Sequence, residues 1–281
     1  EPMNRKSAES TRFYCKNVNG LDIDRQGGDI TEICTEMQKT ETDILLATEP
    51  GVCHKHHWIG DIIRKTARKE MKHSLVALAS SRRKYKSYKK PGGSMMIAHG
   101  RTRGRITASG TDEYGRWSWM RLNSKLGGVM VLSAYQVGDK LDFDDDGQKG
   151  RKTARLQQHS MLKEDNRVET PREAFRKDLI EFLLPAKKRG DSILIMGDFN
   201  EVFEGKSGMM DAADALGMID LLDVKLGTQK FGTHVRNESE ERIDYALGSP
   251  RLVLAIRQCG YEPFGRNYKG DHRGFYIDFD T

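Results

Sequence analysis

The chain has 281 residues, 37% of them hydrophobic and 31% charged, with 47 Lys and Arg against 41 Asp and Glu for a formal charge of +6. That length supports a substantial core, and the composition excludes a disordered polyelectrolyte, while the basic surplus modestly favours a polyanionic partner. No apolar run approaches the roughly 18 residues of a membrane-spanning helix. Cys15, Cys34, Cys53 and Cys259 are too dispersed for a disulfide framework or a paired zinc motif, which points to a reducing, intracellular setting.

The first 11 residues form a polar leader without a signal peptide's apolar stretch, and a domain is expected over residues 12–281. FYCKNV reads as a strand. Asp29 offers an N-cap with Glu32 three residues on, and Ile30, Ile33, Cys34 and Met37 recur at helical spacing. DILLATE and SLVALAS read as strands around a helix with Ile59, Ile62, Ile63 and Ala67 on one face. From Gly93, SMMIA, RITASG, RWSWMRL and GVMVLSAYQV predict consecutive antiparallel hairpins.

Residues 138–170 are a charged insertion containing DFDDDG, a candidate cation loop or simply a mobile acidic one. A helix starts at Pro171, with Phe175, Leu179, Phe182 and Leu183 on one face, and Pro185 is expected to bend or end it. DSILIMGDFN then predicts a buried strand, followed by a helix over Met209–Leu216 and strands at RIDYALG, LVLAIRQCGYEP and FYIDFD. Mixed elements without a compositional break predict a single α+β domain of two sheets packed face to face with helices outside.

Candidate chemistry sits at strand ends. GDFN delivers Asp198 and Asn200 after a glycine turn, DILLATE delivers Glu49, and NVNG places Asn17 and Asn19 on a common face. Asp244 lies in an otherwise apolar strand and needs a partner, Arg242 being the simplest. Asp271 and His272 precede the closing strand. Each pattern alone also fits turn capping, a buried ion pair or a solvated loop. Together they supply carboxylates for a hard cation, an acid to activate water, amides to hold oxygen and an imidazole for charge.

The ordered set NVNGL, ATE, SAYQ, GDFN, RIDY and GDH, spread over residues 13–281, resembles the endonuclease/exonuclease/phosphatase superfamily. The resemblance implies a four-layer sandwich of the deoxyribonuclease I type and a Mg²⁺-dependent site, with Mn²⁺ able to substitute. It implies Glu49 as principal metal ligand helped by Asn17, and Asp198 orienting or deprotonating water with Asn200 in support. His272 would contact the scissile phosphate, oriented by Asp244, while Tyr135 donates to a phosphate oxygen and Asp271 is a further metal or hydrogen-bonding carboxylate. Asn19 stands where relatives are often acidic.

For the substrate, SRRKYKSYKK brings Arg82, Arg83, Lys84 and Lys86 among tyrosines, and RTRGR adds Arg103. Such interleaving suits a nucleic-acid backbone, though it also keeps a sheet edge soluble. DNA is the expected partner. GDFNEVF, RIDYALGS, DHR and PREAFRKDL look most like retroelement endonuclease domains, which implies a monomeric nicking module, nuclear in a eukaryote. An apurinic repair endonuclease and a phosphatase or phosphodiesterase of small or lipid phosphoesters are the alternatives. His54, His56 and His57 match no standard zinc spacing and read as a loop near the site.

Overall fold

The computed structural model describes residues 3, 5–54, 57–83, 86–125, 127–139, 153–203, 208–227, 231–236 and 239–280, with only the backbone of His57 and Arg236. The expected DFDDDG loop, Lys84 and His56 lie outside the described residues. In chain order the elements are β1 (Ser10–Asn17), α1 (Asp29–Lys39), β2 (Ile44–Thr48), α2 (His57–Glu70), β3 (Leu75–Ala79), β4 (Ser94–Ala98), α3 (Gly100–Arg103), β5 (Ile106–Thr111), β6 (Trp117–Ser124) and β7 (Gly127–Tyr135). They continue with α4 (Ala154–Glu164), α5 (Pro171–Lys188), β8 (Ser192–Asp198), α6 (Gly208–Leu216), β9 (Ile219–Asp220), α7 (Leu221–Leu226), β10 (His234–Arg236), β11 (Ser239–Glu241), β12 (Asp244–Gly248), a 3₁₀ turn (Pro250–Ala255), β13 (Ile256–Tyr261) and β14 (Phe275–Asp280).

Two six-stranded sheets result, ordered β13-β14-β1-β2-β4-β3 and β5-β6-β7-β8-β12-β9, with β10 and β11 pairing apart. Both are mixed: β1 runs parallel to β2, and β7 parallel to β8. Phe13, Cys15, Ile44, Leu46, Val131, Leu194, Met196, Ala246, Phe275 and Ile277 meet in one buried cluster between the sheets. Helices α1 and α2 cover the outside of the first sheet, and α5 and α6 the outside of the second. The expected two-sheet α+β sandwich with helices outside is the fold observed.

Several local expectations need correction. β1 begins at Ser10, ahead of the expected boundary, and Lys6 is tied to Asp43. α1 starts at Asp29 itself, and the preceding Gly28 at φ 50° occupies the cap without a side-chain bond, while Asp29 accepts from the Asp22 N–H. The hairpin series holds only for β5, β6 and β7; β4 pairs with β2 and β3, and the chain changes sheets through α3. Helix α5 runs through Pro185 to Lys188, because the proline is near the exposed C-terminal end, where water can bond the carbonyl it leaves without a partner. Its start follows the sequence closely: Thr170 and Glu173 form a reciprocal capping box around Pro171.

Part of the charged insertion is helical. Thr153 caps α4, which buries Ala154, Gln157, Gln158, Met161 and Leu162. Ser81 donates to the Gln157 carbonyl at 2.8 Å, so a buried glutamine occupies a place where apolar periodicity would have revealed the helix.

Candidate active site

The period of two along each strand builds the site. Side chains facing the space between the sheets run Phe13, Cys15, Asn17 along β1, Ile44, Leu46, Thr48 along β2, and Leu194, Met196, Asp198 along β8. β12 runs the other way and reads Asp244, then Ala246. The same inward rows that make the core therefore end in polar groups, all at one end of the sandwich. Asp198 lies opposite Asp244 in the β8–β12 ladder and beside Tyr135 in the β7–β8 ladder.

Asn17 is buried and its amide nitrogen donates to Glu49 Oε2 and Asp198 Oδ2, each at 2.9 Å, while its oxygen accepts from the Asn19 N–H at 2.9 Å. It thus spaces two carboxylates, and Asn19 serves it through the backbone. Asn200 donates from its backbone to Asp198 Oδ1 at 2.8 Å and from its amide to the Gln136 carbonyl at 2.9 Å. Glu49, Asn19 and Asn200 all have positive φ, at 50°, 44° and 49°, so the backbone turns sharply where these groups emerge.

His272 Nδ1 bonds Asp244 Oδ2 at 2.7 Å, so Asp244 finds its partner here, whereas Arg242 pairs with Asp220 at 2.6 Å. Burial works against the charged imidazole, but Asp244, with Asp198 and Asp271 behind it, pushes the His272 pKa up to about 10. Asp198 is pushed up to about 8, chiefly by burial and then by the Asp244 carboxylate, against the opposing pull of His272. The segment carrying His272 is clamped onto β1 by Gly270, where φ is +125° and an added Cβ would lie 2.1 Å from the Asn17 carbonyl oxygen. Gly270→Ala is expected to destabilise the fold by about 2–4 kcal/mol and to lower kcat by displacing His272, read from urea midpoints and cleavage rates; an unchanged midpoint would refute the clamp.

Asp198, Asp244 and His272 can each offer one ligand atom within 4.8 Å of the others. Asp244 Oδ1 and Thr48 Oγ1 are buried without a hydrogen-bond partner among the described residues. This excess of hard oxygen donors and negative charge, with Glu49 alongside, fits a divalent cation. Asp271 is exposed and outside that trio; Tyr135 is buried at the end of β7 against Gly92.

Two of the five expected basic contacts, Arg82 and Arg83, are engaged internally. Arg82 pairs with Asp165 and Glu113, Arg83 with Glu164, and Lys90 Nζ donates to the Ser81 and Arg83 carbonyls at 2.6 and 2.7 Å. Lys86 is exposed on the same loop. Arg103 ends α3 beyond the opposite end of β4 and does not join the site. His54 Nδ1 meets Ser80 Oγ at 2.7 Å, which ties the loop after Glu49 to the end of β3.

The sequence reading missed three supporting groups. Gln136 donates to the Phe199 carbonyl at 2.7 Å and to Glu201 at 3.2 Å, and Arg172 reaches Glu201, fastening the GDFN turn to α5. His234 lies with its ring centroid 4.6 Å from that of His272. Gln136 adjoins Tyr135 in the SAYQ motif and could have been found there; His234 carries no signal in the sequence.

A model of the Endonuclease/Exonuclease/phosphatase family matches residues 17–272, from the first site residue to the last imidazole. The chain belongs to this family. Among solved structures, this endonuclease/exonuclease/phosphatase family member is similar to the AP endonuclease LMAP from Leishmania major, at 13% identity and a TM-score of 0.68 over 98% of this chain and 89% of that one. It is also similar to the 3′ phosphatase NExo from Neisseria bound to product DNA hairpin, at 16% identity and 0.64 over 96% and 100%. The endonuclease domain of TRAS1, a telomere-specific non-LTR retrotransposon, matches at 12% and 0.54 over 96% and 98%. No curated protein sequence matches the chain. At these identities the structural likenesses establish the fold, and family membership establishes hydrolysis of phosphoester bonds as the class of reaction.

Proposed function

We propose that this family member is a Mg²⁺-dependent DNA endonuclease, with Mn²⁺ able to replace Mg²⁺. The observation that carries the reading is the convergence of Asn17, Glu49, Asp198, Asn200, Asp244 and His272 at one end of the sandwich, with Asn17 bridging two carboxylates and Asp244 holding His272. Glu49, with the Asp198 and Asp244 carboxylates nearby, would hold the cation, which when bound supplies charge neutralisation at the phosphate and lowers the pKa of water.

The chain's own residues do the rest. Asp198, fixed by Asn17 and Asn200 and favoured in its ionised form by a cation held beside it, accepts a proton from the attacking water and orients it for in-line approach. His272, kept cationic by Asp244, faces the scissile phosphate and stabilises the charge that gathers on its oxygens. Tyr135 and Asn200 offer further donors, and Asp271 adds negative potential that keeps His272 protonated. Lys86 on the rim loop supplies a phosphate contact.

Within the nuclease class, GDFNEVF, RIDYALGS, DHR and PREAFRKDL favour a strand-nicking domain of the retroelement kind. The similarity to the AP endonuclease and the 3′ phosphatase supports a second reading, incision at an abasic site or removal of a 3′ phosphate. Supercoiled plasmid incubated with Mg²⁺ should be nicked, and EDTA should abolish the nicking. An intact plasmid beside a cleaved abasic duplex would favour the second reading; turnover of soluble phosphoinositides without any DNA cleavage would overturn both.

A further inference from the structure

Trp58 is unusual in being 41% exposed although its neighbour Tyr88 is available to cover it. The two rings meet edge to face, with centroids 5.6 Å apart and planes at 61°, so Tyr88 braces the indole without stacking flat on it. Their position relative to the site is fixed by backbone pairing. Cys53 N donates to the Tyr88 carbonyl and Lys90 N to the Gly51 carbonyl, each at 2.7 Å, and Val52 bridges Lys89. Cys53 is four positions after Glu49, so Tyr88 is anchored to a point within about 14 Å of the Glu49 backbone.

The surroundings carry both signs, with Asp61 one turn from Trp58 and Asp22 paired to Lys89. α2 carries Arg64, Lys65, Arg68 and Lys69 in succession. Arg64 pairs with Asp61 and Lys69 with Glu70, but Lys65 and Arg68 make no ion pair among the described residues. Lys65 lies seven residues after Trp58, two turns along the same helix face, and Lys86 is exposed two residues before Tyr88. A part-exposed indole with unpaired cations two turns along its helix and on the loop that carries Tyr88 matches a single-stranded polynucleotide, whose bases present π faces and whose phosphates follow alongside. A continuous duplex stacks its bases against one another and offers the indole nothing.

We infer that Trp58, braced by Tyr88, is a stacking subsite for an unpaired nucleobase a few nucleotides from the scissile bond, so that the enzyme engages strands with locally unpaired bases in preference to continuous duplex. For its substrate class the inference rests on the nuclease reading. The test is a titration of the full chain in EDTA with a 20-nucleotide oligothymidylate and with a blunt 20-base-pair duplex, followed by tryptophan fluorescence. Trp117 is buried and Trp119 half-buried, so Trp58 is the reporter among the three tryptophans. Oligothymidylate should quench the emission and duplex should not. Trp58→Ala should abolish the quench and weaken single-strand binding at least fivefold, Trp58→Phe should lose the quench but keep more affinity, and Lys65→Ala should weaken single-strand binding with the quench at saturation intact. Undiminished binding by Trp58→Ala, or a quench that persists in Trp58→Phe, would overturn the subsite. Plasmid nicking by the parent chain reports on the reaction alone, so the stacking subsite and the nuclease reading can fail separately.

Discussion

Asp198→Ala should cut the rate of Mg²⁺-dependent plasmid nicking by about three orders of magnitude while the chain stays folded. The carboxylate has no substitute: Asn17 and Asn200 both point their donors at it, and both Asp198 oxygens are engaged. Retention of more than a tenth of the parent rate would remove Asp198 from the reaction. Asp198→Asn makes the same chemical test and adds a thermodynamic one. Because the folded state pushes Asp198 up to about 8, it keeps its proton between roughly pH 4 and 8 where the unfolded chain has lost it. Stability therefore falls as pH rises through that window, and a neutral amide removes the loss. An amide also turns one donor toward Asn17 or Asn200, so the reading is the pH trend: in EDTA the melting temperature of the parent should fall relative to that of the Asn variant between about pH 5 and 8, and added Mg²⁺ should raise the parent more than the variant. A constant difference between the two over that range would show that the carboxylate is not under the strain described.

The second large effect is expected at the Asp244–His272 pair. His272→Ala should lower kcat by about two to four orders of magnitude, with little change in folding beyond the lost packing. Asp244→Asn separates charge from geometry, since the amide can still bond the ring. Without the Asp244 charge, burial is opposed only by Asp198 and Asp271, and His272 loses its proton at lower pH than in the parent. The parent should keep its imidazolium up to about pH 10, whereas activity of the Asn variant should decline at lower pH than that of the parent. The stability linkage has the matching sign: the pair's contribution is fully present below about pH 6.5 and is lost as pH rises through about 10. Identical pH profiles for parent and Asp244→Asn would show that Asp244 does not set the charge of His272.

Much of this site was legible because strand ends leave a simple trace. An apolar run that stops at a carboxylate, as in ILLATE or ILIMGD, already encodes an inward row with a polar terminus, and the order of these fragments along the chain supplied the rest. The pairing of the basic segment was not legible for a physical reason: sequence shows Arg82 and Arg83 beside each other but not Asp165 and Glu164, some 80 residues away, with which they pair. Helix α4 was hidden because its buried face includes two glutamines. His234 was invisible because a short hairpin distant in sequence delivers it to His272.

Asn17 stands at the end of the first strand and His272 just before the last, and those strands, β1 and β14, are direct neighbours in one sheet. The site therefore closes only when β14 pairs with β1, because that ladder brings His272 to the sheet edge where Asn17 emerges. A variant whose β1–β14 ladder is broken is expected to lose the proposed activity with every carboxylate still present. Completion of the first sheet and assembly of the site are thus a single event.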